Sequence, residues 1–200
     1  SFGGKPYVDI RMSFNSFTPR ALPDATAAKL INHYLDVLQR HPEYHDKVEF
    51  CVAITTYDLA FPRKMEHLRQ IGFSLAETEM IEGAFRSLTN NILCGRAVTI
   101  DGAMLEIDKL AGRRSEVLDS LIPLESKIVK LLEDCKTYGT LPFSILARYA
   151  FVGSILLRSL LNEGYIYRHE YDGFYQSIHT IAKDFLDDVQ QVAEDRKSVV

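Results

Sequence analysis

Residues 141–162, LPFSILARYAFVGSILLRSLLN, form a long apolar stretch that decides the predicted fold of this 200-residue chain. Arg148 and Arg158 interrupt the stretch, and each arginine would cost about 2.5–3.5 kcal/mol at the centre of a bilayer. A helix in a soluble core is therefore favoured over a membrane span. Because apolar residues lie on nearly all sides of this helix, we expect it at the centre of a multi-helix bundle, surrounded by the other helices.

The composition is that of a soluble globular protein. Hydrophobic residues make up 46% and charged residues 25% of the chain, which excludes disordered and low-complexity classes. The 23 basic and 27 acidic residues give a net charge of −4, with no basic excess to neutralise a phosphate backbone. Three cysteines, Cys51, Cys94 and Cys135, form neither a disulfide framework nor a zinc-ligand pattern. We expect a cytoplasmic protein with no nucleic-acid or membrane partner.

Helical periodicity extends outward from the apolar stretch in both directions. Ser74 and Glu77 have the spacing of a capping box at the start of one helix, and Gly72 is placed to end the helix before it. Gly139 is expected to break the chain between two helices, with Thr140 as the N-cap of the second. The predicted helices span residues 23–40, 62–70, 74–93, 100–121, 124–137, 141–162 and 169–194.

A small β element is predicted near the N-terminus. Tyr7, Val8 and Ile10 alternate with polar residues between Lys5 and Met12, which is the period-two pattern of a strand. A second strand is predicted over 48–54, with a helix over 48–57 as the alternative. The predicted fold class is therefore mainly α, in a single domain over 1–200 that consists of a strand and loop (1–22) and a helical body (23–200).

The N-terminal sequence, SFGGKPYVDIR, has no initiator methionine and lacks the basic and apolar regions of a signal peptide. Two glycines stand directly before the predicted strand. We therefore expect the chain to be a fragment of a longer multidomain protein.

Self-contained catalytic motifs are absent from the sequence, including the P-loop, the nucleophile elbow and the zincin motif. His41 and His45 have the spacing of two metal ligands, but Pro42 breaks the helix they would need, and a surface turn is favoured. Cys135 lies between Asp134 and Lys136, and a buried structural thiol is favoured there over a nucleophile. We predict no metal site.

Two polar segments carry the candidate chemistry. In PYVDIRMSFNSF (6–17), Asp9 and Arg11 share one face of the predicted strand, and Ser13, Asn15 and Ser16 offer hydrogen-bonding groups in the loop that follows.

In LLEDCKTYGTLPF (131–143), Lys136 and Tyr138 end one predicted helix and Thr140 begins the next. The free N–H groups of a helix start at Thr140, together with Lys136 and Arg148, are suited to a carboxylate or phosphate. The alternative is helix capping together with a buried Arg–Asp pair. We predict that the two segments come together in one anion-binding cleft.

The same two segments, together with HDKVEF (45–50), resemble the region between the nucleotide-binding and phosphohistidine domains of phosphoenolpyruvate-synthase-like phosphotransferases. The resemblance covers nearly the whole chain and is greatest to the glutamine-kinase-like branch. It implies a central helical domain that presents an acceptor to a travelling phosphohistidine. The partners implied are the ATP-grasp-like and phosphohistidine domains of the same parent chain and a small-molecule acceptor.

The chain departs from the full family pattern. It lacks the glycine-rich and acidic elements of an ATP-grasp domain, and the string SIHT around His179 lacks the glycines of the phosphohistidine motif. The resemblance therefore implies that no cofactor belongs to this segment, that ATP and Mg²⁺ belong to the parent protein, and that the segment is not a complete enzyme.

Under this hypothesis, the binding residues orient an anionic acceptor and a carboxylate orients or deprotonates its nucleophilic atom. The predicted catalytic residues are Asp9 and Asp134, and the predicted substrate-binding residues are Arg11, Ser13, Asn15, Lys136, Tyr138, Thr140 and Arg148. Two alternatives stay open. One is a non-catalytic interaction or spacer module with an extensive exposed apolar patch, and the other is a small stand-alone enzyme that uses Cys135 or a histidine pair.

Overall fold

A computed structural model describes residues 7–178, and every element within them is helical. The elements are α1 (Ile10–Phe17), α2 (Asp24–Arg40), a 3₁₀ turn (Pro42–Tyr44), α3 (Val48–Cys51), α4 (Phe61–Gln70), α5 (Leu75–Leu93), α6 (Ile100–Asp119), α7 (Leu124–Asp134), a π-helical turn (Cys135–Thr140), α8 (Leu141–Asn162) and α9 (Arg168–Ser177). The predicted mainly α class is confirmed.

The predicted β element is wrong. Residues 7–9 have no regular structure, and α1 begins at Ile10 with Asp9 as its N-cap. The Asp9 carboxylate accepts the Met12 backbone N–H at 3.1 Å, which stabilises the first turn of a helix. Ile10, Phe14 and Phe17 follow at helical spacing and face the core, and this burial outweighs the period-two pattern that predicted a strand.

The second predicted strand, over 48–54, is also wrong. Val48–Cys51 is a single helical turn, and residues 52–60 form an irregular segment that leads into α4. The alternative of a helix over 48–57 holds for those first four residues alone. No strand occurs within residues 7–178.

The hydrophobic core lies among α1, α2, α4, α5 and the segment between α3 and α4. Its largest fully buried side chains include Tyr34, Phe14, Phe61 and Phe85. The rings of Phe14 and Tyr34 have centroids 5.5 Å apart, and those of Phe61 and Phe85 are 5.9 Å apart. These aromatic contacts join α1 to α2 and α4 to α5.

The predicted cap and turn signals hold in the α4–α5 region. Ser74 and Glu77 form the complete capping box at the start of α5, with the Ser74 N–H donating to Glu77 at 2.7 Å. Gly72 follows the end of α4 with a φ of 103°, a conformation that L-residues with a side chain rarely adopt. The sequence therefore determined this helix boundary locally.

Gly139 does not break the chain, contrary to the prediction. The segment Leu124–Asn162 is one continuous helical run of 39 residues that includes the π-helical turn, where the Leu141 N–H donates to the Lys136 carbonyl. A Cβ added at Gly139 would lie 3.4 Å from Leu110 Cδ1. This glycine therefore permits close approach of α6 rather than helix termination.

The apolar helix α8 is not the centre of the bundle. The segment Leu124–Asn162 has the length and hydropathy of a membrane-spanning helix. Only 11% of its most apolar 18-residue stretch is buried within the described structure. The predicted central position is wrong because the aromatic residues of α1–α5 form the core without it. Apolar residues on all sides of a helix thus do not prove burial within this chain.

The chain divides into two compact units, Ser1–Leu156 and Leu157–Val200. The described part of the second unit contains the end of α8 and helix α9, in which Glu170 accepts the Tyr167 N–H at 2.7 Å. The predicted helix over 169–194 is wrong in its C-terminal bound, because α9 ends at Ser177 with Ile178 in an extended conformation as its C-cap; residues 179–194 lie outside the described residues. The core and the cavities discussed below all belong to the first unit.

Phe14→Ala tests the role of α1 in the core. Phe14 is 0% exposed, so we expect its truncation to lower the free energy of unfolding by about 3–5 kcal/mol. Urea denaturation followed by circular dichroism measures the change. Phe143→Ala is the control, because Phe143 is 66% exposed. Equal effects of the two substitutions would contradict the assignment of α1 to the core.

Candidate functional site

Arg148 on α8 connects three parts of the first unit. Its guanidinium donates to the backbone carbonyl oxygens of Ser16 at 2.6 Å, Thr55 at 3.3 Å and Phe17 at 3.4 Å. Ser16 and Phe17 are the last residues of α1, whose carbonyls have no partner within a helix. Arg148 therefore caps the C-terminus of α1 and holds the segment between α3 and α4.

The charge of Arg148 is only partly compensated. Among the described residues no carboxylate pairs with it, and burial lowers the pKa of the guanidinium from its usual range. Arginine nevertheless stays protonated at neutral pH. A helix C-terminus offers about half a negative charge, so a fraction of the positive charge remains for a ligand.

A cavity of about 500 Å³ lies beside Arg148. The ends of α1 and α5, residues 97–98 and the first half of α8 form its walls. Most of the lining side chains are apolar, and the polar ones are Ser16, Thr140, Ser144, Arg148 and Tyr149. The Tyr149 hydroxyl donates to the Val98 carbonyl at 3.1 Å, which fixes one wall. This arrangement suits a small ligand with an apolar body and an anionic group.

The two polar segments both contribute to this cavity. Thr140 lines it from the second segment, and Arg148, another of the predicted binding residues, lines it from α8. The first segment contributes Ser16, which was predicted to offer a hydrogen-bonding side chain, and Phe17, which was not predicted. No sequence signal identified their contacts with Arg148, because both residues accept through backbone carbonyls, and every residue has one.

Asp9 and Ser13 have local structural partners on α1. Asp9 caps the helix, and the Ser13 hydroxyl donates to the Asp9 carbonyl oxygen at 3.2 Å. Neither residue lines the cavity beside Arg148. The structure therefore places Asp9 away from a ligand bound there.

Arg11 and Asn15 also lie outside that cavity. The Arg11 guanidinium donates to the Asn32 side-chain oxygen on α2 at 2.8 Å. Asn15 is exposed, and its backbone carbonyl accepts the Thr18 N–H at 3.2 Å at the end of α1. The first segment thus folds as a capped helix whose polar side chains point to several different neighbours.

The buried carboxylate of Asp134 forms an ion pair with the half-exposed Arg113 that joins α7 to α6. Its Oδ1 accepts from Arg113 Nη2 at 2.6 Å and from Nε at 2.7 Å, and this hydrogen bond raises the pKa of Arg113. Asp134 Oδ2 is buried without a hydrogen-bond partner in the described structure. The pair matches the structural alternative of a buried Arg–Asp pair, although with Arg113 rather than Arg148.

Lys136 and Tyr138 lie on the π-helical turn near this pair. The Arg113 guanidinium stacks over the Tyr138 ring at 4.6 Å from its centroid, while Lys136 is exposed. Neither residue lines the cavity beside Arg148. Tyr138 and Thr140 are two residues apart on a helical segment and therefore do not share a face.

Cys135 and Asp134 line a separate cavity of about 340 Å³ with Leu110, Ala111, Arg114 and Leu131. None of these lining residues is a histidine or lysine that could activate the thiol as a base. The described geometry thus gives no support to the interpretation of the chain as a stand-alone thiol enzyme.

His41 and His45 have separate partners in the turn after α2. His41 Nδ1 is 3.1 Å from the Glu43 carboxylate, and His45 Nδ1 is 3.1 Å from the Pro42 carbonyl. Within residues 7–178, no group of three or more histidine, cysteine, aspartate or glutamate side chains is arranged to hold a metal ion.

Arg148→Met tests the capping role of the guanidinium. The substitution keeps the apolar stem and removes all three hydrogen bonds to carbonyl oxygens. We expect the free energy of unfolding to fall by about 2–3 kcal/mol, measured by urea denaturation. Arg20→Met, at an exposed arginine, should change it by less than about 0.5 kcal/mol. A loss no larger than that of the control would contradict the role.

Comparisons of the chain with protein-family models, with curated proteins and with solved structures returned no match. The resemblance to phosphoenolpyruvate-synthase-like phosphotransferases therefore stays a prediction based on three sequence segments. The function is argued below from those segments and from the cavity beside Arg148.

Proposed function

We propose that this chain is the acceptor-binding and linker domain of an ATP-dependent, phosphohistidine-relay phosphotransferase of the phosphoenolpyruvate-synthase-like or glutamine-kinase-like type. The observation that carries the proposal is the cavity beside Arg148, to which both polar segments of the sequence resemblance contribute. In this proposal the parent protein acts in the cytoplasm and supplies the ATP-grasp-like domain, the phosphohistidine domain, ATP and Mg²⁺.

The acceptor would bind through its anionic group at Arg148. The guanidinium is held in place by three carbonyl oxygens, so little side-chain entropy is lost when a ligand binds. Thr140 and Ser144 add hydroxyl groups to the same cavity, and the remaining walls are mostly apolar. An acceptor bound in this way is positioned, which is most of what phosphoryl transfer asks of a protein.

The proposal assigns neither Asp9 nor Asp134 to deprotonation of the acceptor. Asp9 caps α1 and Asp134 pairs with Arg113, and neither lines the cavity beside Arg148. The base would therefore come from a group outside this cavity, and the domain's own contribution is binding and orientation.

The linker part of the proposal is supported by an exposed apolar stripe on α7. Leu124, Ile128 and Leu132 lie four residues apart on one face of the helix and are 69%, 50% and 58% exposed. Contiguous exposed apolar side chains are typical of interaction surfaces. We assign this stripe to docking of a neighbouring domain of the parent chain. The same observation favours the alternative of a non-catalytic spacer, which differs in having no ligand in the cavity.

Binding of an acceptor is testable by NMR chemical-shift mapping with amino acids and other small carboxylates. We expect at least one compound to shift the backbone resonances of Ser16, Thr140 and Ser144, because these residues line the cavity. Thr140→Val and Arg148→Lys should each weaken binding about tenfold or more, through loss of a hydroxyl and of the guanidinium fork.

Arg20→Lys is the matched control and should leave binding unchanged. If no compound in the series shifts these resonances, the acceptor-binding function is contradicted and the spacer function is favoured.

The docking role is tested by Ile128→Asp in the full-length parent protein. We expect the rate of acceptor phosphorylation to fall about tenfold or more, since a charge would replace an apolar contact. The thermal midpoint of the isolated domain should stay within about 1 °C, because Ile128 is half exposed. Ser126→Asp introduces the same charge at an exposed polar position on α7 and should keep the rate. Equal rates for the two variants would contradict docking at this stripe.

A further inference from the structure

A second cavity, of about 830 Å³, lies between α2 and the α4 region and is lined by residues with basic or imidazole side chains. We call it the α2–α4 groove. Its basic and imidazole residues are Lys29, His33, Arg40, His41 and His67, and the one acidic residue in its lining is Asp36. This bias is local, because the whole chain has a net charge of −4.

Arg40 is a basic residue of the α2–α4 groove whose positive charge is not paired with a carboxylate within residues 7–178. Its Nε donates to the Asp36 backbone carbonyl at 3.1 Å, and no carboxylate among the described residues pairs with it. Lys29 differs, because its Nζ lies 2.7 Å from the Glu77 carboxylate. A ligand anion would therefore meet Arg40 as an available guanidinium.

His33 and His67 face each other across the groove wall, with ring centroids 6.3 Å apart at an interplanar angle of 58°. Both also line a neighbouring cavity of about 420 Å³, so they separate the two spaces. Burial, the adjacent His67 and Arg40 lower the pKa of His33, while Asp36 raises it. His33 is therefore neutral at neutral pH when the groove holds no anion.

The groups around His33 come from several elements. The titratable residues of α2 that line the same two cavities as His33 are Lys29, Tyr34, Asp36 and Arg40. Those from α4 are Arg63, Lys64 and His67, and those from the segments after α2 are His41, Tyr44 and Cys51. Lys64 is paired with Asp58 at 2.7 Å, and His41 contacts Glu43 at 3.1 Å. The pKa of His33 thus depends first on burial and then on His67, Arg40 and Asp36.

We propose that the α2–α4 groove binds a tetrahedral oxyanion with a double negative charge, such as a phosphoryl group, between Arg40, His33 and His67, with uptake of a proton. Three cationic or potentially cationic groups converge on the groove, which suits an anion with at least three acceptor oxygens better than a carboxylate. This site uses a different cavity from that beside Arg148 and does not depend on the proposed function.

The affinity of the groove for a dianion should change with pH in one direction. A bound dianion favours the charged imidazole and raises the histidine pKa, reversing the effect of Arg40 and of the second imidazole. The bound state therefore holds more protons than the free state, and affinity rises as the pH falls. An anion site built from arginine alone would lack this dependence.

The test is isothermal titration calorimetry of the chain with sulfate at about pH 6 and about pH 8. Sulfate keeps its double charge over this range, so a pH dependence reports the protein. We expect binding about threefold to fivefold tighter at the lower pH, because a rise of about one unit in the histidine pKa is only partly expressed between these two pH values. Repeating the titration in buffers of different ionisation enthalpy should show net proton uptake. Absence of sulfate binding, or equal affinity at both pH values, would overturn the proposal.

Substitutions distinguish sulfate binding in the α2–α4 groove from a general effect of surface charge on sulfate affinity. Arg40→Gln should weaken sulfate binding about tenfold or more at both pH values, and His67→Gln should reduce both the proton uptake and the pH dependence. Arg20→Gln and His169→Gln, at exposed positions outside the groove, should bind as the unaltered chain does. Circular dichroism checks that each variant is folded. Equal loss in a groove variant and its control would overturn the site.

Further titrations identify the ligand chemistry. Inorganic phosphate and phosphoserine should both bind, and their affinities are compared per concentration of the doubly charged form, because the two compounds ionise differently near pH 6. On that basis, tighter binding of phosphoserine would indicate a phosphoryl group carried on a larger molecule. Tighter binding of inorganic phosphate would indicate the free ion, and both results support the site. Acetate that binds as tightly as sulfate would contradict the preference for a tetrahedral dianion.

Discussion

The first unit depends on how the backbone carbonyls of Ser16, Phe17 and Thr55 are satisfied. All three accept from one guanidinium, that of Arg148. Carbonyl groups that lose water on burial cost free energy unless they find donors. Arginine is suited to this task because its donors form a planar fork and its charge opposes the negative end of α1. The same residue thus joins α8 to the core unit and places a positive charge at the wall of a cavity.

The irregular segment over 52–60 also contains buried backbone groups that need hydrogen-bond partners. Thr55 and Thr56 are almost fully buried, so the backbone there has little access to water. The Ile54 N–H donates to the Tyr34 hydroxyl at 3.1 Å, and the Tyr57 N–H donates to Thr89 Oγ1 at 2.9 Å. Burial raises the pKa of Tyr34 well above its usual range. Side chains from α2, α5 and α8 therefore replace the hydrogen bonds that regular structure would supply.

The sequence predicts those features that depend on local chemistry. The capping box of Ser74 and Glu77 and the turn at Gly72 require neighbours in sequence alone, and the helices on either side were predicted for that reason. The features that it misses depend on residues far apart in the chain. Gly139 is a point of close approach to Leu110, and Arg148 meets carbonyls 93 to 132 residues away. Neither role has a signature in residue spacing.

The positive charge in the cavity beside Arg148 is permanent, whereas part of the charge in the α2–α4 groove depends on protonation of imidazole. The two cavities therefore suit different ligands. Arg148 is fixed by carbonyl oxygens and keeps its proton at every physiological pH, so its cavity offers a constant, preorganised charge. In the α2–α4 groove, burial together with the nearby His67 and Arg40 lowers the pKa of His33, so the charge of this imidazole depends on what occupies the space. A fixed cation suits a ligand that must be held in one orientation, whereas a pair of imidazoles suits an anion whose arrival and departure are accompanied by a proton. Under the two proposals, one compact unit contains two anion sites of different kinds, because each depends on a few local contacts rather than on the overall charge.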